Sequence, residues 1–163
     1  MQFEDRHVFD KPAATVMTMY VERSFFERKY KDLGGWDIEV LDHEKSDTKF
    51  RIKCRYTTKA SIASIPSFAQ KFIGSSITLI QQDTWDIKAR TGWLDIEMKN
   101  APVRIHADMT LRDEAGVAIN AMKWNVSCGI PLIGGKLEQL VADDIKAKSG
   151  KDAKVSQIIL NDY

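Results

Sequence analysis

Apolar residues recur with period two along much of the chain. From Thr48 to Thr57, Phe50, Ile52, Cys54 and Tyr56 alternate with Lys49, Arg51, Lys53 and Arg55, so the segment predicts a strand with one wet face. Trp36 to Leu41 repeats the pattern, with Trp36, Ile38 and Val40 opposing Asp37 and Glu39. The basic row reads as a solvated face, and the acidic row is placed to pair with it across neighbouring strands, with Asp42 to Asp47 as the hairpin loop between them. Trp93 to Lys99 turns Leu94, Ile96 and Met98 inward. Val103 to Arg112 does the same with Val103, Ile105, Ala107, Met109 and Leu111. Turns are expected at Asn100 to Pro102 and at Asp113 to Gly116. In Val117 to Cys128 the apolar parity switches from Val117, Ile119 and Ala121 to Met122, Trp124, Val126 and Cys128, which predicts a one-residue bulge near Ala121 and Met122. With Phe3 to Phe9 and Ile77 to Ile87 the count is seven strands, mostly joined as hairpins and therefore antiparallel in a curved sheet.

Helical spacing appears in two places. After the first strand, Asp10 is placed to cap a helix with Pro12 in its first turn and Val16, Met17, Tyr20 and Val21 on its buried face. Ser24 and Glu27 form a capping-box pattern for a second short helix, closed by Gly34 and Gly35. Near the carboxyl end, Leu137, Leu140 and Val141 are matched eighteen residues later by Val155, Ile158 and Ile159. Eighteen residues make five helical turns, so the stripe stays in phase from Pro131 to about Leu160. That pattern fits one long helix, or two that break at Ser149 and Gly150. Asp144, Lys148, Lys151 and Asp152 share the stripe's face, which would let the middle overhang solvent.

Composition narrows the class. Of 163 residues, 44% are hydrophobic and 29% charged, as in ordinary globular proteins, and this length buries enough surface for a core without disulfide or metal staples. Twenty-four basic and twenty-three acidic residues leave a net +1, which argues against nucleic acid as a partner. No apolar run approaches the ~20 residues of a membrane span, and the MQFEDRHVFD start lacks a secretory pattern. A cytoplasmic location is expected, with Cys54 and Cys128 kept as thiols.

No nucleophile-elbow serine, zinc spacing, cysteine pair or dinucleotide glycine pattern is present, so no metal or cofactor is expected. Gly134, Gly135 and Lys136 look like the end of a phosphate loop, but Ile130 stands where its first glycine belongs and Leu137 where its Ser or Thr belongs. Close packing of the helix start is the better reading of these glycines. Cys54 faces inward, where desolvation raises a thiol pKa and makes it inert. His7, His43 and His106 fall on separate elements, His106 with outward parity.

Gln81 and Asp83 share a core face with Ile77, Leu79, Trp85 and Ile87, and Asp5 and His7 share one with Phe3 and Phe9. Such groups either bond to protein or meet water and ligand in a cavity. Thr58 to Ser75 is long for a hairpin connection. Pro66 is placed to start a short helix there, with Phe68, Phe72 and Ile73 as its apolar edge and Gly74 as its end. The segment is either a lid over a cavity mouth or a plug for one end of the core.

Strand, two short helices, six antiparallel strands and a long terminal helix is the element order of the START-like helix-grip superfamily, which includes the birch-pollen-allergen fold and the polyketide cyclases. Ile65, Pro66, Ser67 and Phe68, then Gln81, Asp83 and Trp85, then IPLIGGKLEQLVADDI from Ile130 to Ile145, resemble an uncharacterised bacterial family within it. The resemblance implies an α+β helix-grip fold over residues 1–163 as a single domain, its curved sheet gripping the terminal helix around an apolar cavity for a lipid, sterol, polyketide or similar ligand. It implies no catalytic set.

Strand parity and helical phase then assign the pocket. Tyr20, Tyr56, Trp85, Met98, Trp124, Leu137 and Val141 are its expected apolar lining. Gln81 and Asp83 would orient a polar group, and Phe68 and Phe72 would guard entry. The expected function is binding of a hydrophobic or amphipathic small molecule, as carrier or sensor. One alternative is a cyclase- or dehydratase-like enzyme in which Asp83 and His7 move a proton. The other is an interaction or regulatory module with a mostly filled core. Ligand identity and oligomeric state are not encoded in these patterns.

Overall fold

A computed structural model of the chain describes residues 1–60 and 66–163. The order is β1 (Gln2–Phe9), α1 (Ala13–Tyr20), α2 (Arg23–Asp32), β2 (Trp36–Lys45), β3 (Lys49–Lys59), β4 (Ser76–Asp86), β5 (Thr91–Met98), β6 (Val103–Glu114), β7 (Val117–Cys128) and α3 (Gly134–Leu160). The seven strands form one antiparallel sheet in the order β1-β7-β6-β5-β4-β3-β2. The chain's first strand therefore lies beside its last. Inward residues of every strand pack with α1, α2 and the two ends of α3 into one core.

Alternating sequence becomes alternating burial most cleanly in β5 and β6. There Gly92, Leu94 and Met98, and Val103, Ile105, Ala107, Met109 and Leu111, are buried, while most of their neighbours meet solvent. The acidic and basic rows of β2 and β3 do pair: Arg55 reaches Glu39 at 2.5 Å, and Arg51 reaches Asp42 at 2.8 Å and Glu44 at 2.9 Å. All these side chains are solvated, so each pair helps register by at most about 1 kcal/mol.

Several local expectations are corrected. β7 carries no bulge: its ladders to β1 and β6 run without a register shift. Asn120 occupies the inward position between Ala118 and Met122, and Ile119 is buried on the other face opposite Val8 and Arg112. A polar residue inside, rather than an extra residue, caused the apparent parity switch. Bulges lie instead in β2, between Trp36 and Glu39 and between Val40 and Asp42, and Trp36 is 39% exposed there. β2 and β3 extend further than expected, leaving Ser46 to Thr48 as the loop, and the β6–β7 turn shrinks to Ala115 and Gly116, both at positive φ.

The helix starts differ as well. Asp10 does not cap α1. Its carboxylate accepts the Gln157 amide, and Asp113 Oδ1 takes the Ala13 N–H at 2.8 Å. α2 begins one residue before Ser24 with no side-chain cap, so the Ser24–Glu27 box does not form. Gly34, at φ +89°, follows that helix as expected. α3 starts at Gly134 rather than Pro131 and continues through Gly150 without a break. Ile158, counted in its apolar stripe, faces solvent. Among the described residues, no helix is long and apolar enough to cross a membrane.

Candidate ligand cavity

Between the sheet and α3 lies a cavity of about 180 Å³. Its sheet wall follows cross-strand rows. One row runs Asp83, Leu94, Ala107, Trp124, and the next runs Trp85, Gly92, Met109, Met122, Asp5. Gly92 is what lets Trp85 lie flat along its row, because a Cβ there would stand 2.9 Å from two indole atoms. Tyr20 of α1 stacks on Trp85 with ring centroids 5.4 Å apart, and Tyr30 of α2 stacks on Tyr56 at 4.1 Å. The helices thus extend the aromatic wall that the strands begin.

Polar groups occupy two stations. At the first, the Tyr56 hydroxyl donates to Gln81 Oε1 at 3.0 Å, and the Gln81 amide donates to Asp83 Oδ1 at 2.8 Å. Asp83 is 5% exposed. Its burial pushes the carboxyl up to about 6, against the opposing effects of the Lys29 charge and the Gln81 hydrogen bond.

At the second station α3 meets β1. Ser149 donates to Asp5 Oδ2 and lies 3.1 Å from His7 Nε2, and His7 Nδ1 lies 3.9 Å from Asp152 Oδ1. Burial lowers the His7 pKa below its ordinary value, outweighing Asp152 and Asp5. Lys29 bridges the two stations: its ammonium pairs with Asp152 at 3.5 Å and lies over the rings of Phe25, Phe26 and Tyr30. Lys148 pairs with Asp144 at 2.8 Å nearby.

Eight of the eleven residues assigned to the pocket from sequence lie on the cavity wall: Tyr20, Tyr56, Gln81, Asp83, Trp85, Met98, Trp124 and Val141. Leu137 does not, since it is fully buried in the core beside the start of α3. Phe68 and Phe72 do not either. They are half-buried against the core in a run of turns from Ser67 to Phe72, not in a helix, and among the described residues of this segment Ile73 reaches the wall. Residues 61–65 of that connection, including Ile65, lie outside the described residues.

Lys29, Asn120, Ser149 and Asp152 were missed as wall residues. Asp144, Lys148 and Asp152 follow Leu137 and Val141 on one helical face, but they line the cavity rather than overhang solvent; Lys151 alone of that group is exposed. Cys54 is buried and its thiol pushed up to about 12 by burial, in keeping with an inert core position. A Cβ on Gly134 would lie 2.7 Å from the Cys128 carbonyl oxygen, so this glycine serves close packing of the helix start. His106 is on the outer face beside Asp95, 2.7 Å away.

Residues 4–157 match the family described as "Protein of unknown function (DUF2505)". This chain belongs to the DUF2505 family. A search of curated proteins finds no match to it. Among solved structures, the DUF2505 chain is similar to TTHA0849 from Thermus thermophilus, at TM-score 0.67 and 14% identity over 98% of this chain and 97% of that one. It is similar to the Zhui aromatase/cyclase from Streptomyces sp. R1128, at TM-score 0.66 and 10% identity over 99% and 93%. It is also similar to Ara h 8.0201, at TM-score 0.64 and 14% identity over 100% and 99%. At such identities these likenesses establish the fold alone, which is the helix-grip fold.

Proposed function

We propose that this DUF2505 protein binds a small apolar or amphipathic molecule in the cavity between its sheet and α3, as a carrier or sensor. One observation carries the reading: a space walled by Tyr20, Tyr56, Trp85 and Trp124 that also holds the buried Asp83 carboxyl, whose Oδ2 has no donor among the described residues. Unmade buried hydrogen bonds cost free energy that a bound molecule recovers. About 180 Å³ is below the ~300 Å³ at which drug-sized pockets begin, and comparable to the ~150 Å³ that admits benzene. The ligand that fits is a single ring or a short chain rather than a whole sterol. The same reading keeps the protein in the cytoplasm, with both cysteines as thiols.

Native mass spectrometry of the protein as purified, compared with its denatured mass, is the direct test. An added mass that disappears on denaturation is expected. A protein that carries no adduct and takes up no small aromatic probe from solution would end this reading in favour of a regulatory module that acts through a protein partner.

Asp83 favours a second reading, a cyclase- or dehydratase-like enzyme. A carboxyl near 6 inside an apolar cavity is suited to take and return a proton near neutral pH. In that case Asp83→Asn abolishes turnover and leaves binding intact.

A further inference from the structure

Charge in the cavity wall is unequally divided. Asp5, Asp83, Asp144 and Asp152 contribute four carboxylates, against the ammonium groups of Lys29 and Lys148. His7 is kept neutral by burial. Lys148 is matched to Asp144, Lys29 to Asp152, and the Asp5 carboxylate receives the Ser149 hydroxyl. Asp83 is in no ion pair among the described residues, although the Lys29 charge acts on it. Its Oδ1 takes the Gln81 amide, and among the described residues nothing donates to its Oδ2. Asn120 repeats the situation: its amide donates to the Tyr20 hydroxyl at 3.2 Å, and its own Oδ1, in a residue 3% exposed, has no donor.

The wall thus offers one unused acceptor, the second oxygen of the Asp83 carboxylate. Asn120 Oδ1 and Trp124 Nε1, on β7 three strands away, are enclosed by protein.

Resting on the reading that this cavity binds a small molecule, we infer that the ligand presents a hydrogen-bond donor, a hydroxyl or protonated amine, to Asp83, and that the cavity rejects carboxylic acids. A carboxylate brought against Asp83 Oδ2 meets an acceptor with an acceptor and adds a fifth negative charge to the wall. A hydroxyl donates there without adding charge, and an ammonium also offsets the excess. The molecule is a neutral or cationic amphiphile with an apolar middle, not a fatty acid. Lys29 is the counterweight: if its ammonium governed recognition by leaving Asp152 for the ligand, acids would bind best.

Three matched probes decide between these outcomes: 3-phenylpropanol, 3-phenylpropylamine and 3-phenylpropanoate, titrated calorimetrically into the full chain at pH 7.5. The alcohol and the amine are expected to bind at least tenfold more tightly than the carboxylate. Asp83→Asn, which keeps an acceptor but removes the charge, is expected to weaken the amine tenfold or more and the alcohol less than threefold. A carboxylate as tight as the alcohol overturns the donor preference while cavity binding stands, and so does an amine affinity indifferent to Asp83→Asn. If no probe binds, the cavity reading fails and takes this inference with it.

Discussion

The Trp85 indole lies over Gly92, its neighbour on β5, closely enough that a methyl group on that glycine would stand 2.9 Å from the ring and closer still to the Thr84 carbonyl oxygen. Ring and backbone both block the methyl. Gly92→Ala is therefore expected to destabilise the protein by about 1–3 kcal/mol, the usual effect of overpacking. It should also shift Trp85 off the cavity wall. Denaturant unfolding reads the first effect and near-ultraviolet circular dichroism the second. Unchanged values for both would mean that the ring is not held where it is described.

Asp83 makes stability depend on pH in a defined direction. Its carboxyl is raised from 3.8 to about 6, so between those values the folded chain holds a proton that the unfolded chain has released. The group's contribution thus grows as pH falls through 6 and levels off below about 4; above 6 the buried charge costs roughly 3 kcal/mol. His7 opposes it: with its pKa lowered in the fold, it withdraws stability as pH falls through the ordinary histidine range. The clean measurement is the difference between wild type and Asp83→Asn in urea unfolding from pH 4 to 8. The variant should be more stable by about 2 kcal/mol at pH 7.5, and the gain should vanish near pH 4.

Glycines in α3 should respond oppositely to one change. Gly134→Ala drives a methyl to 2.7 Å from the Cys128 carbonyl oxygen and is expected to cost about 1–3 kcal/mol. Gly150 has open space around it, and Gly150→Ala should stabilise mid-helix by up to about 1 kcal/mol. Thermal unfolding of the two variants checks both signs.

Leu137 and Val141 lie one turn apart, and they separate core from cavity. Leu137→Ala removes a fully buried side chain that is not on the wall, and should cost about 2–5 kcal/mol while leaving 3-phenylpropanol affinity within twofold. Val141→Ala enlarges the cavity itself and should change that affinity severalfold. Equal effects of both on affinity would mean the wall is misplaced.

Of the two readings of the segment carrying Phe68 and Phe72, the lid over the cavity mouth has a kinetic signature. Phe68→Ala and Phe72→Ala should raise the dissociation rate of 3-phenylpropanol severalfold in a chain that still folds, as measured by stopped-flow tryptophan fluorescence. An unchanged rate would identify the segment as a plug for the core.

Most of the fold was legible because each strand carries its own period. Leu94, Ile96 and Met98 need no knowledge of their neighbours to be placed inward. The apolar wall of the cavity was legible to the same extent, on β3, β4, β5 and β7 and through Tyr20 and Val141 on the helices. Its charged helical members were not. Lys29 belongs to a helix whose cations look like a solvated face, and only the fold brings its ammonium to Asp152 on the cavity wall. Asn120 was hidden for a different reason: a polar residue at an inward position mimics a change of parity, and inserting a bulge explains the pattern as well as accepting an unpaired amide oxygen. Helix caps failed because Asp113 and Gln157, remote in sequence, compete for the partners that local rules assign to Asp10.

Helix α3 is buried at its two ends, through Gly134, Leu137, Val141 and Ala142 and then Ser156, Ile159 and Leu160. Over 27 residues it is roughly 40 Å long, and none of its residues from 143 to 155 is buried. It is a beam on two supports, held at mid-span by the partly buried Ile145 and Val155 and by polar groups such as Ser149 and Asp152 that water can replace. On the binding reading, a molecule entering beneath that span would displace mainly exchangeable polar contacts and leave the buried abutments untouched. Passage into the interior and the integrity of the fold would then fall to different stretches of one helix.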